Sequence, residues 1–244
     1  MMINFIIIAL KIIIILGVLV FIHEGGHFIV AKLFKVKVNE FAIGFGPIIF
    51  TKEIGETKYA LRLIPVGGFV DMEGEAERSE TEGSFSKASV WKRIAIVSAG
   101  AIVNIIFGLA IYFILVTVKT DVYTALVAVK DFIIIVFESL KQLFTGGMQA
   151  DQMVGIVGIS DIVANTNGIR EYFSIMASIS VSLGVTNLLP IPPLDGFKIL
   201  IYMLEWIRRK PLKEETEIKI QYWGVALLLA LFIFVTYNDI VRIF

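Results

Sequence analysis

"FIHEGGHFIV", residues 21–30, closes an apolar run that begins near Ile3. The run is long enough to cross a bilayer, which takes about 20 helical residues. Ionisable groups are costly there, roughly 2.5–3.5 kcal/mol each at a helix centre on an insertion scale. Two histidines and a glutamate in such a place call for a compensating interaction and a use. On a helix, His23 and His27 stand at i and i+4, one above the other on one face, so both imidazoles reach a single metal ion. Glu24 sits about 100° round the helix, at the flank of that face. There it can touch a metal-activated water without being a ligand. Zinc lowers the pKa of such a water to about 7, and a carboxylate can take the proton.

The rest of the chain agrees with a membrane setting. Of 244 residues, 57% are hydrophobic, against about 45–50% in soluble domains. Mean hydropathy is +0.83. Lys+Arg and Asp+Glu are both 22, so no nucleic acid or other polyanion is expected as partner. The absence of cysteine excludes disulfides, iron–sulfur clusters and thiolate metal sites. The first residues lack the basic start of a secretory signal, so the first run is expected to be retained.

Four segments are expected to span the bilayer: about 3–34, 94–118, 172–194 and 220–237. Lys35 to Arg93 carries nine Lys/Arg and Arg208 to Lys219 five, whereas Lys119 to Glu171 has four. The positive-inside rule then puts the first two loops in the cytoplasm and both termini outside. The expected class is an α-helical integral membrane protein forming a single domain over 1–244. Within it, residues 36–75 read as short strands and tight turns, punctuated by Gly44, Gly46, Pro47, Gly55, Gly67 and Gly68. This β-rich loop is too apolar for water and belongs against or into the cytoplasmic membrane face. "EGEAERSETEGS" after it reads as a mobile polar link. Residues 121–146 read as an amphipathic helix on the outer interface, or one packed on the protein.

Two histidines do not complete a catalytic zinc site, which commonly has three protein ligands. The third candidate is Asp195, in "NLLPIPPLDGF", residues 187–197. Pro190, Pro192 and Pro193 break the helix before it, and broken backbone at membrane depth is tolerated only within protein or along a wet cavity. His23, His27 and Asp195 form an N,N,O set that suits zinc, and also manganese, iron or cobalt. If Lys11 reaches the outer interface, His23 lies 12 residues further in, about 18 Å at about 1.5 Å per residue. The site then falls in the cytoplasmic half. A lone HExxH arises often by chance. Here it coincides with a second intramembrane acid at matching depth.

Together "HEGGH" and "NLLPIPPLDG" resemble the HExxH and NxxPxxxxDG motifs of the site-2 protease family of intramembrane zinc metalloproteases. "FAIGFGPIIF", "YALRLIPVGGFVDMEGE", "SAGAIVNIIFGLAI" and "GIVGISDIV" follow in the order of its bacterial RseP (regulator of sigma-E protease) type. The resemblance implies one Zn²⁺ held by His23, His27 and Asp195, with Glu24 as general base. It implies that Asn187 holds substrate or stabilises the oxyanion, and that Gly67, Gly68 and Phe69 contact an unwound substrate added as a strand. It also implies the bacterial cytoplasmic membrane, and single-span anti-sigma factors or remnant signal peptides as substrates.

Three features depart from the resemblance or leave readings open. RseP-type enzymes carry PDZ domains on the outer side, and between Val118 and Asp121 there is no room for one. "GAIVN", Gly100 to Asn104, stands where the family often has Gly-Pro, and Asn104 reads as an interhelical hydrogen-bonding residue. Gly25 and Gly26 either admit a substrate backbone or let a helix pack closely. The rival function is a membrane metal-binding or transport protein, or a non-cleaving scaffold. A transporter is expected to show an inverted repeat, and a dead scaffold to lack Glu24.

Overall fold

The computed structural model describes residues 2–147, 154–166 and 168–243. Among the described residues, seven helices and two strands follow in order: α1 Met2–Leu33, β1 Val38–Ile54, β2 Thr57–Met72, α2 Val90–Thr117, α3 Val122–Thr145, α4 Ile156–Ala164, α5 Ile169–Asn187, α6 Asp195–Arg208 and α7 Glu214–Ile243.

Among the described residues, three helical stretches are long and apolar enough to cross a membrane: Ile6–Leu33 in α1, Val90–Thr117 in α2 and Glu215–Arg242 in α7. Apolar residues surround α1 on all sides, as expected of a helix whose whole circumference leaves water. It stops where Lys35 takes a left-handed conformation (φ 60°) and the Val36 amide turns back to the Ala31 carbonyl at 2.9 Å.

The segment expected as the third crossing differs from the other three. Its helix, α5, ends at Asn187, seven residues short of the expected Leu194. Pro190 cannot continue a helix and disfavours helical backbone in the residue before it. With Arg170, Glu171 and a series of serines, α5 also falls below the apolarity of the three spans.

β1 and β2 form one sheet with a bent pairing. Phe41 lies opposite Val70 on one side and Tyr59 on the other, so the start of β1 is flanked by both halves of β2. The second half of β1 pairs with the first half of β2, for example Thr51 with Ala60. Gly44 makes the bend possible: its φ is +85°, and a Cβ would stand 2.6 Å from the Ile64 carbonyl oxygen.

Two compact units divide the chain: residues 1–12, 106–182 and 223–244, and residues 13–105 and 183–222. In the first, the Lys11 ammonium donates to the Thr166 carbonyl (3.3 Å) and the Tyr172 hydroxyl donates to the Lys11 carbonyl (2.9 Å). A charge expected to snorkel to water thus has a protein acceptor. Asp239 of α7 is buried and accepts from the Gly155 and Gly158 amides at 3.0 and 2.8 Å, capping α4 from outside. Asp121 caps α3 through the Thr124 amide at 3.0 Å. One stripe of α3 is covered by protein, with Phe132 stacked near Tyr112 at 4.8 Å between ring centroids. Leu126, Phe137 and Phe144 beside that stripe stay exposed, so α3 has both a protein-packed face and an uncovered apolar face.

In the second unit, Ala31, Phe41, Val70, Ile96, Phe197 and Tyr202 belong to one core that joins α1, the sheet, α2 and α6. The polar link after β2 is tied down, contrary to the mobile reading. The Ser79 hydroxyl donates to Glu73 (2.7 Å), and Ser84 and Ser86 donate to the Ser79 carbonyl (3.0 and 2.8 Å).

Candidate metal centre

His23 and His27 project from the same face of α1, with ring centroids 4.8 Å apart and planes at 86°. Asp195 is the first residue of α6, just after the proline break. Two close approaches bring the break and α2 to this face. Gly184 packs against α2, where a Cβ would stand 2.5 Å from the Ala101 carbonyl oxygen. Gly196 is crowded by the Leu188 and Leu189 carbonyls, so no larger residue fits next to Asp195.

The three ligating atoms converge. His23 Nε2 and His27 Nε2 are 3.2 Å apart, and Asp195 Oδ2 lies 3.1 and 3.4 Å from them. A tetrahedral ion with bonds of about 2.0–2.1 Å needs ligand separations of about 3.3–3.4 Å. The triangle therefore has the size of one face of a zinc tetrahedron. Asp195 Oδ2 is also buried without a well-aligned hydrogen bond, although two ring nitrogens face it. A cation shared by the three would complete that arrangement. Among the described residues, this is the group of His and acidic side chains that could hold an ion.

A second layer orients the rings. His27 Nδ1 donates to the Ile96 carbonyl of α2 at 2.8 Å, which leaves Nε2 as the lone-pair nitrogen. The fully buried Asn104, also on α2, lies 3.4 Å from His23 Nδ1 through its amide. With the amide oxygen toward the ring, Asn104 accepts the Nδ1 proton and does the same for His23. From sequence, Asn104 is expected to be an interhelical hydrogen-bonding residue. It does reach across to α1, where one partner is the candidate ligand His23 itself, and only a matching helix register could have revealed that.

The glycine pair after Glu24 divides its two readings. Gly26 meets α2, where a Cβ would stand 2.7 Å from the Ala99 carbonyl oxygen. Gly25 faces open space, with nothing within 4 Å.

Of the β-loop candidates, Gly68 comes to the site: a Cβ on it would lie 3.1 Å from Glu24 Cγ. Gly67 has φ +95° and lies under the Phe45 ring, so backbone geometry and packing explain it. Phe69 lies beneath the Arg62 guanidinium at 5.2 Å. Among the described residues, this last part of β2 has a strand partner on one side only. Asn187 ends α5, half-buried, eight residues before Asp195. Among the described residues, no hydrogen bond joins it to the histidines or to Asp195.

Comparison with known proteins gives a consistent set. The sequence model of peptidase family M50 matches residues 11–231. A proposed zinc metalloprotease of Fusobacterium nucleatum is 26% identical over 95% of this chain and 98% of its own. One of Clostridium acetobutylicum is 28% identical over 92% and 95%. The regulator of sigma-W protease RasP of Bacillus subtilis is 26% identical over 95% and 98%. The first and third alignments run over 333 and 413 positions, more than the 244 residues here. Those relatives therefore carry segments without a counterpart in this chain.

Proposed function

Because this chain belongs to peptidase family M50 and is a zinc metalloprotease, we propose that it cuts the transmembrane segment of a substrate protein within the bilayer. The observation that carries this reading is the triangle of His23, His27 and Asp195 with Glu24 between it and β2. The rival of metal transport or non-cleaving scaffolding is disfavoured by the family and by the presence of Glu24.

In this reading the chain is one protease domain without a PDZ region, and α5, prolonged by the proline break, is a fourth crossing. Nineteen residues of α5 at about 1.5 Å each nearly equal a hydrocarbon core of about 30 Å. Four crossings and the distribution of Lys and Arg give both termini outside and the site in the cytoplasmic half of a bacterial cytoplasmic membrane. The substrate is a single-span membrane protein, such as an anti-sigma factor, or a remnant signal peptide. The relationship to a regulator of sigma-W protease supports the first of these.

His23, His27 and Asp195 hold the ion, while Ile96 and Asn104 keep each Nε2 lone pair directed at it. Zinc, when bound, supplies a Lewis acid that acidifies water and polarises a carbonyl. The substrate unwinds, since a helical peptide bond is shielded by its own turn. Its extended backbone adds to the unpaired edge of β2 at Gly67–Phe69, beside Glu24. Glu24 takes a proton from water as the new C–O bond forms. It delivers that proton to the amide nitrogen as the C–N bond breaks. Asn187, uncommitted to the metal ligands, donates its amide to the oxygen on which negative charge develops.

The test is Glu24→Gln with a model transmembrane substrate in detergent. Cleavage is expected to fall by about 10²–10⁴-fold, with zinc content unchanged. Full turnover by this variant would refute the role of Glu24.

A further inference from the structure

α6 is amphipathic in the inverted sense. Between its end residues Asp195 and Arg208, its two charged side chains, Lys198 and Glu205, face inward and are paired. Lys198 donates to Glu75 at 2.7 Å, and Arg93 grips Glu205 with two bonds of 3.0 and 2.6 Å. Arg93 also lies over the Tyr202 ring at 4.9 Å. The outward side is a stripe of Leu200, Met203, Leu204 and Ile207, exposed by 39, 46, 40 and 66%. In water this arrangement would leave apolar area wet and desolvate charges. Against lipid it is the favourable one.

The two ends of α6 differ in chemistry. Asp195 opens it at the metal centre. Arg208 and Arg209 close it, followed by Lys210, all exposed. Near Arg208 in sequence, Trp206 packs against Trp91 of α2 with ring centroids 5.4 Å apart and planes tilted by 58°, and both residues are more than half exposed. A tryptophan pair of this kind sits at the level of lipid headgroups. Asp195 and Arg208 are 13 positions apart, about 20 Å of helix, enough to run from an intramembrane site to the headgroup plane.

We propose that α6 is a lipid-anchored carrier of the metal ligand. Its apolar stripe beds in acyl chains, its basic end binds anionic phospholipid headgroups, and this contact holds Asp195 against the histidines. Charge complementarity selects the partner: three adjacent cations at a helix C-terminus, beside an aromatic pair and an acyl-facing stripe, match a negatively charged bilayer surface. The effect concerns the site assigned above and rests on His23, His27 and Asp195 being the zinc ligands. It does not require that the enzyme cut any given substrate.

The experiment uses the full chain in nanodiscs of phosphatidylcholine alone or with about one third phosphatidylglycerol, near the anionic lipid density that recruits basic segments. Zinc loss to excess chelator is timed in each. For the unaltered protein, loss in the anionic discs is expected to be several-fold slower. Arg208→Gln/Arg209→Gln/Lys210→Gln is expected to lose zinc at one rate in both lipids, equal to that of the unaltered protein in phosphatidylcholine. Met203→Gln/Ile207→Gln, which leaves the cations in place, is expected to weaken the lipid effect. Its zinc content at the start reports whether it folds. A lipid effect of equal size in the triple variant, or none in the unaltered protein, overturns the proposal. So does the same slowing by inorganic phosphate in phosphatidylcholine discs, which would make the ligand a free anion. Lipid-dependent zinc retention without cleavage would instead count against the protease reading alone.

Discussion

Gly100 lies directly against the imidazole of His27: a Cβ at Gly100 would overlap that ring and stand 2.9 Å from Cε1 of His23. The absence of one side chain on α2 makes room for both candidate metal-binding rings on α1. Gly100→Ala is therefore expected to displace the rings and lower zinc affinity by about tenfold or more, the scale on which supporting groups around metal sites act. Gly25→Ala is the control. It fills open space and favours the helix by about 1 kcal/mol, so it should keep its zinc. Metal analysis after a chelator series distinguishes the two, and equal zinc retention would contradict the packing argument.

Asn104 supports His23 from α2 at 3.4 Å. Replacing it by Leu keeps the volume and removes the acceptor for the Nδ1 proton. Zinc affinity should fall about 10–100-fold. Asn104→Asp retains an acceptor and should recover most of the loss. Competition with a fluorescent zinc chelator reads both.

Removal of the ion should loosen the second unit. Dialysis against a chelator is expected to lower the unfolding temperature, and zinc to restore it, because an ion bound only by the folded chain stabilises that state. In Asp195→Asn the same cycle should move the temperature little. An unchanged response in that variant would remove Asp195 from the ligand set.

Arg93 and Glu205 form a nearly buried bidentate pair between α2 and α6, with side chains 11 and 18% exposed. Arg93→Leu strands Glu205 away from water and should cost about 3–5 kcal/mol. Arg93→Met together with Glu205→Met should recover much of it, since a buried pair and an apolar pair of similar volume are near parity. Denaturation in detergent measures the three. A single variant as stable as the unaltered chain would show that the pair does not hold α6.

Hydrogen bonds from Ser79 and then Asn39 hold the Glu73 carboxyl below the usual carboxylate range. A lowered folded pKa contributes stability above the unfolded value, lost as pH falls through the folded one. The link of residues 74–89 should thus keep its amide protection above the ordinary carboxylate range and lose it as pH falls through and below that range. Hydrogen exchange across a pH series follows this. In Ser79→Ala, protection should fail at higher pH.

Local chemistry made much of this protein legible in one dimension. His23 and His27 one helical turn apart, Glu24 at their flank, and long apolar runs with basic flanks are properties of neighbouring residues on regular helices. Helical period alone puts them on one face. The proline-rich stretch before Asp195 likewise announces a break from its own composition. Its helix still ends sooner than expected, because proline also constrains the residue before it.

Tertiary structure decided what depends on the register of one element against another. Asp195 is 172 positions from His23, and its 3.1 Å approach comes from the packing of α2, α5 and α6. Whether Gly26 or Gly25 meets a neighbour, whether Asn104 reaches His23, and which way Lys198 and Glu205 of α6 turn are matters of helix rotation. An apolar run specifies that rotation only weakly when lipid and protein interior are equally apolar, and close packing of small residues and paired charges has to set it.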